Sequence, residues 1–271
     1  MEQPYWRLTL LQLRSSARRI RLALPMLGFV LAPAQALGAE ALIGVAANFN
    51  SAARELAKHF QSRTDHSVNL SFGSTGKLYA QIAHGAPYDV LMAADAERPI
   101  RAIDAGFAVT GSRFTYALGR LVLWSPESGL FRNGEDYLRQ GQFQRLAIAN
   151  PQTAPYGLAA KQTLTNLGVW ESVAPRLVRG ESVAQAFQFV ATGNVESGLV
   201  ALAQLPDTAE SGSPGSRWLV PESLFEPIAQ QAVLLERGMS NPAAQAWLSY
   251  LKRPEAVAII RRHGYGVNSR P

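Results

Sequence analysis

The chain contains no cysteine. That excludes a disulfide framework and any thiolate metal site, so the fold rests on its core alone. Charge is scarce too, with 17% of the 271 residues charged and 47% hydrophobic. Such a composition excludes a charge-rich disordered chain and predicts a sizeable core. Histidine is rare, and His59, His66, His84 and His263 show no metal-ligand spacing such as H-E-x-x-H. His59 reads as a helix-surface residue. A P-loop and a G-x-G-x-x-G turn are lacking, and Ser74 directly follows Gly73, so no nucleophile elbow is present. Asp89 and Asp95 flank one strand-like run, where single charges are expected to be solvated. No nucleophile has an evident base, and an enzyme is not expected.

The start of the chain is distinctive. Five arginines lie between Arg7 and Arg21, followed by an apolar run over 22–32 and then the small residues Ala34, Ala36 and Ala39. These are the parts of a secretory signal peptide. The apolar run is about eleven residues, short of the roughly 20 that cross a bilayer. Residues 1–39 are therefore predicted to be a leader, cleaved after Ala36 or Ala39, with an uncleaved anchor as the competing reading. Without them 21 basic and 19 acidic residues remain, so the formal net charge of +6 falls to +2. No nucleic-acid partner is implied, because most of the basic excess sits in the leader.

Beyond residue 40, short apolar runs, small polar turns and amphipathic helices alternate. Residues 41–47 read as a strand, and Phe49, Ala53, Leu56, Ala57 and Phe60 fall on one helical face. A strand over 68–72, a helix over 77–84 with Leu78 and Ile82 inward, a strand over 88–94 and a helix over 99–105 follow. A second series begins near Phe114. It has a long strand over 118–124, a strand over 146–149, a turn over 150–157 and a helix over 158–167. A strand over 176–179, a helix over 183–191 and a strand over 198–203 follow. Residues 206–216 form a Ser-, Gly- and Pro-rich loop, 228–235 a strand, and two helices open at Asn241-Pro242 and Arg253-Pro254. The alternation predicts an α/β fold with largely parallel sheets, arranged as two lobes around a cleft.

Four turns share one chemistry: Ala47-Asn48, Gly73-Ser74-Thr75-Gly76, Pro155-Tyr156-Gly157 and Glu181-Ser182-Val183. Each places small or neutral hydrogen-bonding residues where a helix starts, and helix N-termini offer unpaired N–H groups and partial positive charge to an anion. Serine, threonine and asparagine also cap helices with no ligand present, so any one turn alone is more simply read as a cap. Several turns from two lobes form a site that is neutral and dipolar, since no Lys or Arg lies inside them, although Lys77 is adjacent. Glu181 is expected to face away from an anion.

Val45-Ala-Ala-Asn48, Gly73-Ser-Thr-Gly76, Tyr79-Ala-Gln-Ile82, Gly85-Ala-Pro-Tyr-Asp89, Asn150-Pro-Gln-Thr-Ala-Pro-Tyr-Gly157 and Ser182-Val-Ala-Gln-Ala186 carry a resemblance. In order and spacing they resemble periplasmic molybdate- and tungstate-binding proteins of ABC transporters, over about residues 41–267. The resemblance implies a two-lobed, type II periplasmic binding protein, each lobe a mixed or mostly parallel sheet flanked by helices, with the ligand in the inter-lobe cleft. It implies a first lobe over 40–117 and 227–271 and a second over 118–226. The function implied is capture of molybdate or tungstate in the periplasm and delivery to the membrane permease of an ABC importer. The protein would be a monomer, with no cofactor, no catalytic residue and no cationic metal. Carried over by position, Ala47, Asn48, Ser74, Thr75, Tyr156 and Val183 would hold the oxyanion. Two positions depart from the family pattern: many relatives have a hydroxyl residue in the first turn and a second serine where Thr75 stands. Sulfate is the nearest rival ligand, being a fully charged dianion like molybdate. Phosphate is less suited, because a partly protonated ion benefits from a carboxylate acceptor, and the one carboxylate in the turns, Glu181, is expected to face away.

Overall fold

The computed structural model describes residues 38–205 and 215–267. The expected leader, apart from residues 38 and 39, and most of the loop over 206–216 lie outside the described residues.

The first series builds three parallel strands, β1 (Glu40–Ala46), β2 (Ser67–Gly73) and β3 (Val90–Met92). Helices α1 (Asn50–Gln61), α2 (Thr75–Ala83) and α3 (Glu97–Asp104) follow them in alternation. On the expected stripe, Phe49, Ala53, Leu56, Ala57 and Phe60 are all buried, as are Leu78 and Ile82 of α2. Apolar spacing at the helical period thus selects the face turned to the sheet.

Residues 118–124 form two strands instead of the single one expected. β4 (Phe114–Gly119) and β5 (Leu121–Ser125) are separated only by Arg120 and belong to different sheets. Both strands are largely apolar, and hydrophobicity does not report a change of pairing partner. The second series then runs through α4 (Gly134–Gln140), β6 (Leu146–Ala149), α5 (Pro155–Asn166), α6 (Trp170–Val173), β7 (Leu177–Gly180), α7 (Val183–Ala191), β8 (Ser197–Ala201) and β9 (Ser216–Leu219). The chain returns through β10 (Ile228–Leu234) and ends its described part with α8 (Pro242–Tyr250) and α9 (Pro254–Arg262).

Two five-stranded sheets result, ordered β2-β1-β3-β10-β4 and β7-β6-β8-β5-β9. Both are mixed, as the resemblance implies, and less parallel than the strand–helix alternation alone predicts. In the first, β10 runs antiparallel to β3 and β4; in the second, β5 runs antiparallel to β8 and β9. The cause is the crossover. Strands β5 and β10 each start at the cleft, having just arrived from the other sheet, so they run against the strands that end there. Each sheet carries its own core, around Ile43, Val45, Phe60 and Trp247 in the first and Leu121, Leu123, Ile148 and Leu164 in the second. Helix α8 closes the first sheet, with Trp247 edge-on to Phe60 at 5.4 Å between ring centroids.

Three helices start earlier than expected, α3 at Glu97 and the two that border the cleft. α2 opens at Thr75 and α5 at Pro155, so residues read as turn lie in first helical turns. Proline suits that position because its missing N–H would have no helical acceptor there. The result is that Thr75 and Tyr156 are held by helices.

Candidate oxyanion site

The strands of both series end facing one another, and the helices that follow start at the same place. A small cavity lies there, lined by Ala47, Asn48, Ser74, Thr75, Tyr156 and Val183 together with neighbouring Ala46, Ala94, Ala154, Pro155 and Ser182. All six residues expected from sequence are buried and meet around this one space. None of its lining residues carries a charge. The starts of α2, α5 and α7 and the short 3₁₀ turn Ala47–Phe49 ahead of α1 all border it. The first N–H groups of a helix have no intrahelical acceptor, and their partial positive charge adds where several helices point at one space.

The hydroxyls around the cavity differ in what they already do. Ser74 precedes α2 with an extended backbone, yet its side chain makes no cap. Its Oγ is buried without a hydrogen-bond partner among the described residues, and so is the Tyr156 hydroxyl. A buried hydroxyl left unpaired costs roughly 1–3 kcal/mol, so two in one cavity mark it as built for a polar ligand. Thr75 accepts the Ala94 N–H at 2.9 Å, which leaves its own proton free to donate. Ser182, by contrast, accepts the Gln185 N–H at 3.3 Å and caps α7.

Burial pushes the Tyr156 phenol well above its usual range. The Asn48 amide and the Arg120 backbone lie close enough to offset this in part, but neither reaches full hydrogen-bonding geometry. Tyr156 is therefore a neutral donor.

The side chain of Asn48 is already engaged. Its amide nitrogen donates to Gln230 Oε1 at 2.9 Å and to the Tyr265 hydroxyl at 3.1 Å, and Tyr265 donates back to the Asn48 carbonyl at 2.8 Å. Tyr116 holds the next turn by donating to the Ala93 carbonyl. The Asn48 amide nitrogen is thus committed to shaping the turn and is not free for a ligand. Gln230, Tyr116 and Tyr265 carry no motif and lie far along the chain, so sequence reasoning missed them. Ser182, Ala154 and Pro155 were inside quoted motifs but not singled out as lining the site.

Contacts across the cleft join the two series around the cavity. Gly76 N–H donates to the Thr153 carbonyl at 2.9 Å, and a methyl group at Gly76 would lie only 2.9 Å from that oxygen. Lys77 pairs with Glu181, both largely exposed, so Glu181 is turned outward as expected. Asp89 corrects the sequence reading, since it is buried, while Asp95 is only partly exposed. Asp89 accepts the Leu42 N–H at 2.7 Å, and Asp95 is held by Arg98 through its backbone N–H at 2.9 Å and guanidinium at 3.0 Å. Burial raises the Asp95 carboxyl pKa, with Arg98 working against it. Each strand-end carboxylate stays inside because it finds donors there. His59 is half-buried, its Nδ1 at 2.8 Å from the Tyr250 hydroxyl.

The model of the family described as bacterial extracellular solute-binding protein matches residues 41–266. The chain is 49% identical over 242 residues to the molybdate-binding protein ModA of Azotobacter vinelandii, covering 89% of this chain and 95% of that one. It is 45% identical over 230 residues to the molybdate-binding protein ModA of Rhodobacter capsulatus, covering 85% and 89%. Among solved structures, the Azotobacter vinelandii periplasmic molybdate-binding protein superposes with a TM-score of 0.81 at 43% identity, covering 84% of this chain and all of that one. Its two lobes correspond to the two mixed sheets described above. The chain belongs to the bacterial extracellular solute-binding protein family.

Proposed function

We propose that this protein binds molybdate or tungstate as an intact oxyanion between its lobes and delivers it to the permease of an ABC importer. The observation that carries the reading is the pair of unpartnered buried hydroxyls, Ser74 and Tyr156, facing a cavity with no charged lining. A dianion in such a cavity meets donors only. Ser74, Thr75 and Tyr156 would donate through hydroxyls, and Ala47, Asn48 and Val183 through backbone N–H groups. Each hydrogen bond to a charged oxygen contributes about 1.5–3 kcal/mol. Several of them, offset by desolvation and lobe closure, reach the ~8 kcal/mol of micromolar binding or better. The molybdate-binding relatives of Azotobacter vinelandii and Rhodobacter capsulatus support the choice of ligand.

Selectivity on this reading comes from size, because neutral donors fixed on helix ends do not distinguish one dianion from another by charge. The longer metal–oxygen bonds of molybdate and tungstate set the spacing the donors match, and sulfate is too small to reach them all. The lobes would exchange at the breaks between β4 and β5, around Arg120, and ahead of β10. This moves the first boundary from the expected 117/118 past Gly119, because Leu118 and Gly119 still pair with β10. Hinge closure would act at these two crossovers. The protein would act as a periplasmic monomer after loss of residues 1–39, with no catalytic role, no resident cofactor and no nucleic-acid partner.

Calorimetric titration of residues 40–271 with molybdate, tungstate, sulfate and phosphate tests the reading. One-to-one binding of the first two with no heat from the others is expected. Sulfate binding as tightly as molybdate, or no binding of either metal oxyanion, would overturn it.

A further inference from the structure

We propose that Gly119 is a positioning residue for this site: its missing side chain leaves the space in which the Tyr156 hydroxyl stands. The inference rests on the oxyanion reading above and deepens it. Gly119 is the last residue of β4, one residue before the chain passes into the second sheet, and it pairs with Ile228 of β10. Tyr156 comes from the first turn of α5 and lines the cavity. A Cβ built on Gly119 would lie 2.3 Å from the Tyr156 oxygen and 3.0 Å from its Cζ. The next obstacle is Ile228 Cγ2 at 2.9 Å. Gly119 does not have a positive φ, so alanine is no strain on the backbone there. Its requirement is space alone.

The place matters for function. Tyr156 is buried and packed in the core except where it lines the cavity, so an added methyl displaces its hydroxyl within the site. Its hydroxyl lies against the segment joining the two sheets. Gly119 therefore sets the room left for one donor at the joint between the lobes. Alanine at this position drives the hydroxyl off its position toward the anion without touching the ligand itself.

The test is a double-mutant cycle on molybdate affinity with the wild-type protein, G119A, Y156F and G119A/Y156F, followed by tryptophan fluorescence and calorimetry. G119A is expected to weaken binding at least about tenfold in the wild-type background and by several-fold less in the Y156F background, where the oxygen at 2.3 Å is gone and only the looser contacts to Cζ and Ile228 remain. A G119A protein that fails to fold alone but folds with Y156F supports the same contact. An equal loss in both backgrounds, failure to fold in both, or restored affinity in G119A/I228A would overturn the proposal, placing the obstacle at the hinge backbone or at Ile228. Wild-type protein that binds no metal oxyanion removes the site reading itself. Wild type that binds while G119A binds equally well removes only the role of Gly119.

Discussion

Ser74 and Ser182 occupy the same place in the two lobes. Each is an extended residue just before a nine-residue helix that follows a strand ending at the cleft. Each also lines the cavity. Ser182 caps its helix, while Ser74 leaves α2 without a side-chain cap and keeps a buried, unpartnered hydroxyl. A serine cap contributes about 1 kcal/mol to stability, so the first lobe forgoes stability at the point where the second keeps it. The difference teaches how to tell a structural serine from a binding one when their sequences look alike: by whether its oxygen is already engaged.

The largest expected effect follows from that contrast. Ser74→Ala removes a donor to a charged oxygen, about 1.5–3 kcal/mol, and should weaken molybdate binding roughly 10- to 150-fold by calorimetry. Its ligand-free melting temperature should hold or rise, because an unpaired buried hydroxyl is gone. A fall in melting temperature with unchanged affinity would make Ser74 an ordinary cap. Next is Gly76→Ala, whose methyl meets the Thr153 carbonyl across the cleft. Overpacking costs about 1–3 kcal/mol, here charged against closure, so affinity should drop while the ligand-free protein melts as before.

Ser182→Ala should show the reverse of Ser74→Ala: a loss of about 1 kcal/mol in unfolding free energy with affinity changed less than by Ser74→Ala. Equal effects of the two substitutions on affinity would erase the distinction between the lobes. Smaller still is Lys77→Ala, which breaks an exposed pair across the cleft. At most about 1 kcal/mol is at stake, and any change in dissociation rate should fade with added salt. The smallest expected effect is that of pH. No lining residue is Asp, Glu, Lys, Arg or His. The raised pKa of Tyr156 keeps its donor form beyond the ordinary tyrosine value near 10. Affinity should therefore stay flat from about pH 6 to about pH 10, and a loss within that window would show that a group other than Tyr156 titrates at the site.

Much of this was legible along the chain because its causes are local. The stripe from Phe49 to Phe60 needs only the helical period, and α8 and α9 open at the Asn-Pro and Arg-Pro steps where expected. The six candidate residues meet in one cavity because small residues at strand-to-helix turns share the cleft end of their sheets. What was not legible involves partners far apart in sequence. The amide nitrogen of Asn48 is taken by Gln230 and Tyr265, 182 and 217 residues away. Asp89 and Asp95 stay inside through donors that the local pattern does not announce. The break at Arg120 is hidden because both flanking strands are apolar.

The sequence by itself determined the elements, their alternation and the neutral, donor-rich character of the turns, since periodicity, capping and glycine and proline preferences act within a few residues. Only the tertiary structure decided which oxygens and N–H groups are already engaged and which remain free. That distinction depends on where distant strands bring their side chains, and it separates Ser74 from Ser182 and the amide nitrogen of Asn48 from the hydroxyl of Tyr156.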